Sequence, residues 1–73
     1  MVFPNIRALR EDKDLKQREV ADILHVSQNT YSQYETGTIE LTAEKLLLLA
    51  DFYNTSVDYL LGRSDQKDPY PKK

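Results

Sequence analysis

The chain has 73 residues with no cysteine, only two glycines, three prolines and one histidine. Without cysteine there is no disulfide staple, no thiol nucleophile and no cysteine-based zinc site. Glycine is too scarce for a phosphate-cradling loop, and neither HExxH nor GxSxG occurs. The acidic pairs Glu11-Asp12 and Asp65 with Asp68 fall at a helix end and in a tail, where plain solvation accounts for them. Enzyme, metal and cofactor chemistry are therefore not expected, nor is a small-molecule ligand. The longest apolar run, Leu46 to Ala50, is far short of the roughly 20 residues of a membrane helix. The N-terminus lacks a signal-peptide apolar region, so a cytoplasmic protein with no membrane partner is expected. A basic excess is also missing. Ten Lys and Arg against twelve Asp and Glu give a net charge of −2 and a pI near 5.2, so the whole molecule does not attract nucleic acid electrostatically.

What remains is the composition of one small soluble domain, 40% hydrophobic and 30% charged. A chain this short buries roughly 60% of its unfolded surface, so every core contact counts. No stretch alternates with period two, whereas Pro4, Gly37, Gly62, Pro69 and Pro71 bracket long segments without a breaker. An all-α fold follows. The first helix is expected from about Asn5 to Lys13, with Asn5 as cap and Ile6, Leu9 and Arg10 turned inward. The second, about Gln17 to Leu24, turns in Val20, Ala21 and Leu24, with Leu15 anchoring the loop before it. Ser27 caps a third helix, Gln28 to about Thr36, which stops at Gly37. Thr42 caps a fourth with Leu46, Leu49, Ala50 and Tyr53 on one stripe, and Glu44 suits its first turn. Ser56, Asp58, Leu60, Leu61 and Gly62 repeat the pattern for a short fifth helix. Residues 1–62 thus form the domain, and 63–73 a mobile tail in which only Tyr70 can pack.

Gln17 to Glu35 is the most informative segment: two short helices joined by little more than His25, Val26 and Ser27. Such a joint is the geometry of a helix-turn-helix. At ~100° per residue from Gln28, Ser32, Asn29 and Gln33 fall at about 40°, 100° and 140°, while Thr30, Tyr34 and Tyr31 fall at about 200°, 240° and 300°. The third helix therefore turns two tyrosines toward a core and displays Gln28, Asn29, Ser32 and Gln33, a polar face without charge. Gln and Asn carry a paired donor and acceptor that match adenine N6 and N7 in the major groove, and Ser bonds more permissively. The same face also reads as ordinary solvated helix.

The ordered set Leu15-Lys16-Gln17-Arg18-Glu19-Val20-Ala21, then Val26-Ser27-Gln28-Asn29-Thr30-Tyr31-Ser32-Gln33-Tyr34-Glu35-Thr36-Gly37, then Leu49-Ala50 and Val57-Asp58-Tyr59-Leu60-Leu61-Gly62 resembles the Cro and lambda-repressor type of helix-turn-helix domain, the XRE-like family. The likeness runs over about residues 5 to 62. It implies a compact five-helix bundle that docks its third helix in the major groove of double-stranded DNA, with Gln28, Asn29, Ser32 and Gln33 reading bases. It implies phosphate contact at the start of the second helix, where Lys16, Gln17 and Arg18 stand, with Gln17 also supporting the first base-reading residue. It also implies a buried salt bridge between Arg10 and Glu35.

Four positions depart from the family's habit. His25 occupies a turn position usually held by Gly; His tolerates positive φ better than most residues, so it reads as a strained turn residue, with a pH sensor as the other reading. Lys16 stands where Ser or Thr commonly caps, which loses roughly 1 kcal/mol but adds a cation near phosphate. Thr38, Ile39 and Glu40 follow Gly37 where Lys or Arg is common, leaving phosphate contact to main-chain N–H groups or the Thr38 hydroxyl. In the fourth helix, Leu48 and Phe52 lie about 200° and 240° from Leu46, away from the core stripe. With Leu41 and Tyr59 they make an apolar patch that reads as a homodimer interface, or as a surface covered by Tyr70. A dimer placing two half-sites roughly 34 Å apart on a palindromic operator would compensate for weak binding by each subunit. The expected function is a small transcriptional regulator, a repressor acting by occupancy. The competing reading is a helix-turn-helix module for protein contact, such as an antitoxin, antirepressor or adaptor.

Overall fold

The computed structural model describes residues 2–67. Five helices follow in order: α1 Pro4–Asp12, α2 Gln17–Ile23, α3 Gln28–Thr36, α4 Ala43–Tyr53 and α5 Val57–Leu60. No strand occurs among the described residues. Three of the expected caps form as the sequence requires. The hydroxyls of Ser27, Thr42 and Ser56 accept hydrogen bonds from the backbone N–H of Thr30, Lys45 and Tyr59 at 3.1, 3.2 and 3.0 Å, meeting N–H groups that the first helical turn leaves unpaired.

The expectation for the start of α1 is corrected. The helix begins at Pro4, one residue earlier, with Phe3 as a cap that offers no side-chain acceptor. Proline suits this place, because its missing N–H is one the first turn could not use. Asn5 instead bridges two elements. Its amide donates at 2.7 Å to the Tyr59 carbonyl, tying the first helix to the last. At α2, Lys16 supplies no capping oxygen, but the reciprocal bond is present, with the Glu19 carboxylate accepting from the Lys16 N–H at 3.0 Å.

The core gathers Ile6 and Leu9 of α1, Val20, Ala21 and Leu24 from the second helical segment, Tyr31 and Tyr34 of α3, Leu49, Ala50 and Tyr53 of α4, and Leu60. Each large aliphatic side chain buried here contributes about 1.5–3 kcal/mol. Phe3, Leu15, Val26 and Leu46 seal its edges. Residues 63–67, the first part of the segment expected to form a mobile tail, make definite contacts: Arg63 N–H donates to the Asp58 carbonyl at 2.8 Å, the buried Thr55 hydroxyl donates to the Lys67 carbonyl, and the Lys67 ammonium lies 3.7 Å from Asp12. Tyr70 lies outside the described residues.

Candidate nucleic-acid interface

α2 and α3 are joined by residues 24–27 alone. His25 takes φ +59°, the left-handed conformation in which most side chains crowd the backbone. The turn is closed by the Val26 N–H donating to the Ala21 carbonyl at 3.0 Å, and Ser27 then caps α3. Lys45 reaches across from α4 and donates at 2.7 Å to the Leu24 carbonyl, at the end of the preceding helix.

Along α3 the two expected sides separate. Tyr31 and Tyr34 are buried, their rings edge-to-face with centroids 6.5 Å apart. Gln28 and Asn29 are exposed, and Ser32 and Gln33 are half-buried. The structure brings all four onto the outward side of one helix, whose inward side is fixed by two large rings.

A single carboxylate holds that helix in place. Glu35, its side chain 4% exposed, accepts from Arg10 Nε at 2.7 Å and Nη2 at 3.1 Å, and from Gln17 Nε2 at 3.2 Å. Arg10 Nη1 donates onward to the Leu15 carbonyl at 2.9 Å. Three helices thus meet at one charge. Burial pushes the Glu35 carboxyl up, but the hydrogen bonds from Arg10 and Gln17 and the guanidinium charge outweigh it and hold the group below the ordinary carboxylate value. The hydrogen bond to Glu35 raises Arg10 against the opposing effect of burial. The Tyr31 hydroxyl lies close enough to feel the Glu35 charge but makes no bond of good geometry, and the Tyr53 hydroxyl is likewise buried and unpaired. Burial raises both tyrosines, Tyr53 to about 12.

The residues expected at phosphate do not behave alike. Lys16 and Arg18 are exposed beside the start of α2. Gln17 is half-buried, and its amide N–H is given to Glu35, inside the molecule. Beyond α3, Thr38 is exposed and its hydroxyl lies 2.9 Å from that of Thr36. The main-chain donors expected here are already engaged. Gly37 N–H bonds to the Tyr34 carbonyl at 3.3 Å, and Thr38 and Ile39 N–H bond to the Gln33 carbonyl at 2.9 and 3.3 Å. Gly37, at φ +79°, makes this helix-terminating arrangement possible, and the arrangement consumes the donors.

One member of the apolar patch sits differently from the helical-wheel expectation. Leu48 does not face away from the core: like Leu41 and Tyr59 it is half-buried and packed against it. The reason is that α4 is covered over more than one stripe: Lys45, about 60° from Leu48 on the helical wheel, reaches the Leu24 carbonyl at the end of α2. Phe52 is exposed, its ring set edge-on against Tyr53 with centroids 4.9 Å apart. The most exposed large apolar side chain of α4 is Leu47, at 58%. Its signal was on the helical wheel, about 100° from Leu46 and between Glu44 and Asp51.

Two short helices, a tight turn and an uncharged amide face on the second helix define a helix-turn-helix domain. A family model described as helix-turn-helix matches residues 6–60, and the chain belongs to that family, of the Cro and lambda-repressor type. It is 36% identical over 72 residues to the HTH-type transcriptional regulator AnsR of Bacillus subtilis, covering 99% of this chain and 62% of the relative. It is 40% identical over 65 residues to the cryptic phage CTXphi transcriptional repressor RstR of Vibrio cholerae, covering 89% and 59%. It is 33% identical over 69 residues to the antitoxin PezA of Streptococcus pneumoniae, covering 94% and 44%. The chain therefore spans about six-tenths or less of these relatives. Its fold matches a crystal structure of the P22 c2 repressor in complex with a synthetic operator, with TM-score 0.77 and 31% identity, covering 88% of this chain and 98% of that one. Among the described residues no helix is long and apolar enough to cross a membrane.

Proposed function

We propose that the protein is a sequence-specific double-stranded DNA-binding transcriptional regulator, a cytoplasmic repressor that acts by occupying an operator and not by catalysis. The observation that carries this reading is the α3 surface, where Gln28, Asn29, Ser32 and Gln33 stand on the outward side of a helix braced from behind by Glu35. The amides of Gln28, Asn29 and Gln33 suit adenine edges, and the structural relative is itself a repressor bound to an operator. Lys16, Arg18 and the Thr38 hydroxyl contact phosphate, and Gln17 orients α2 through Glu35. The active species is a homodimer on a palindromic site, with Phe52 and the edges of Leu41, Leu48 and Tyr59 as its contact.

Selection from random duplexes by gel shift tests this, and a palindromic motif is expected. Gln28→Ala and Gln33→Ala should each relax preference at one position of the half-site, at a cost of about 1–3 kcal/mol, with melting temperature unchanged. No enrichment even at low salt would instead favour the protein-contact reading, to which the antitoxin relative lends support.

A further inference from the structure

We propose that the outer face of α4 is a contact surface for a basic amphipathic helix of another protein, a role that does not rest on DNA binding. Residues 38–62 carry four acids, Glu40, Glu44, Asp51 and Asp58, against one cation, Lys45. That cation is withdrawn: Lys45 is 18% exposed and its ammonium bonds to the Leu24 carbonyl, approaching Glu44 only to 3.8 Å. On the opposite side of α4, Glu44, Leu47 and Asp51 follow one another at spacings of three and four, which places them in one stripe. The Glu44 side chain is 79% exposed, Leu47 is 58% exposed, and Asp51 is exposed. A large apolar side chain thus stands in water between two carboxylates about 10 Å apart along the helix axis. Leu47 belongs to neither the core nor its sealing edges.

The charges decide the occupant. If a second copy packed its own α4 here antiparallel about Leu47, Glu44 would face the other copy's Asp51; if parallel, like residues would face each other. Either pairing sets carboxylate against carboxylate beside a desolvated leucine, which is costly. A helix bearing Arg or Lys at positions seven apart with a leucine between them satisfies both acids and covers Leu47. Three residues make a small contact, so the complex belongs to the transient class.

The probe is a fluorescein-labelled, alanine-based helical peptide with two arginines seven residues apart and a leucine between them, titrated into the full chain and followed by anisotropy and amide NMR shifts. Saturable binding is expected, with shifts confined to residues 43–54. Leu47→Ala and Asp51→Lys should each weaken it at least tenfold without lowering the melting temperature, and the same peptide with glutamates for arginines should not bind. The proposal is overturned if the arginine peptide does not saturate at millimolar concentration, if the glutamate peptide binds as well, or if both variants keep full affinity. It is equally overturned if sedimentation shows the protein self-associating through Leu47.

Discussion

At the scale of single residues, Glu35 is the position on which most depends. A carboxylate this buried is tolerated because Arg10 meets it with two hydrogen bonds and Gln17 with a third. Because its folded pKa lies below the ordinary value, the stabilisation it contributes is complete above about pH 4.3 and is lost as pH falls through the lower folded value. Tyr53 governs the other limb: raised to about 12 by burial, it keeps its proton in the fold while the unfolded chain releases it from about pH 10. Stability should therefore fall above pH 10 as well. Urea unfolding across the acid and alkaline ranges checks both limbs. Glu35→Gln should cost about 3 kcal/mol at neutral pH and shrink the acid limb. Arg10 and Glu35 were legible as a pair through family resemblance. The share taken by Gln17 was not, because a glutamine at a helix start points equally well to solvent, phosphate or a buried acid until the neighbouring helix is placed.

At the scale of elements, local chemistry accounts for what the sequence revealed. Ser27, Thr42 and Ser56 announce α3, α4 and α5 because a short hydroxyl before a periodic apolar run has one favoured use. Asn5 misleads, since an amide can cap or bridge, and Pro4 already satisfies the helix start. Leu48 misleads for another reason: a helical wheel locates a stripe but not the arc that neighbours cover, which tertiary packing decides. The donors of Thr38 and Ile39 were unreadable in the same way, because the stop at Gly37 could be seen but not the hydrogen bonds it redirects. The turn at His25 carries the element-scale prediction. A left-handed non-glycine residue costs about 1–2 kcal/mol, part of which glycine returns as chain entropy. His25→Gly should raise stability by up to about 1 kcal/mol, measured by thermal melting, with DNA preference unchanged. His25→Val should lower it.

At the scale of the whole molecule, the net charge of −2 and the commitment of the loop donors after Gly37 to the end of α3 set how the protein meets DNA. On the proposed function, affinity comes from few cations, chiefly the exposed Lys16 and Arg18, with amide contacts deciding sequence. About two or three phosphates should be neutralised per subunit, giving a log–log salt slope of about −2 to −3 per subunit. Anisotropy titrations over a range of salt concentrations test this; a slope of about −6 per subunit would mean that cations elsewhere engage the backbone.

The bond from Asn5 to the Tyr59 carbonyl closes a ring across nearly the entire fold. Loop closure over so many residues comes late, since its entropy is repaid only once the intervening helices are packed. On the ribosome, α3 emerges well before Tyr59 does. The grip of α1 on α3 through Arg10 and Glu35 can therefore form first, and the tie of α1 to the Tyr59 carbonyl is added only when α5 has left the exit tunnel. A nascent chain would pass through a stage in which α3 is already braced by Arg10 and Gln17 while α1 is still open on the side that α5 will close.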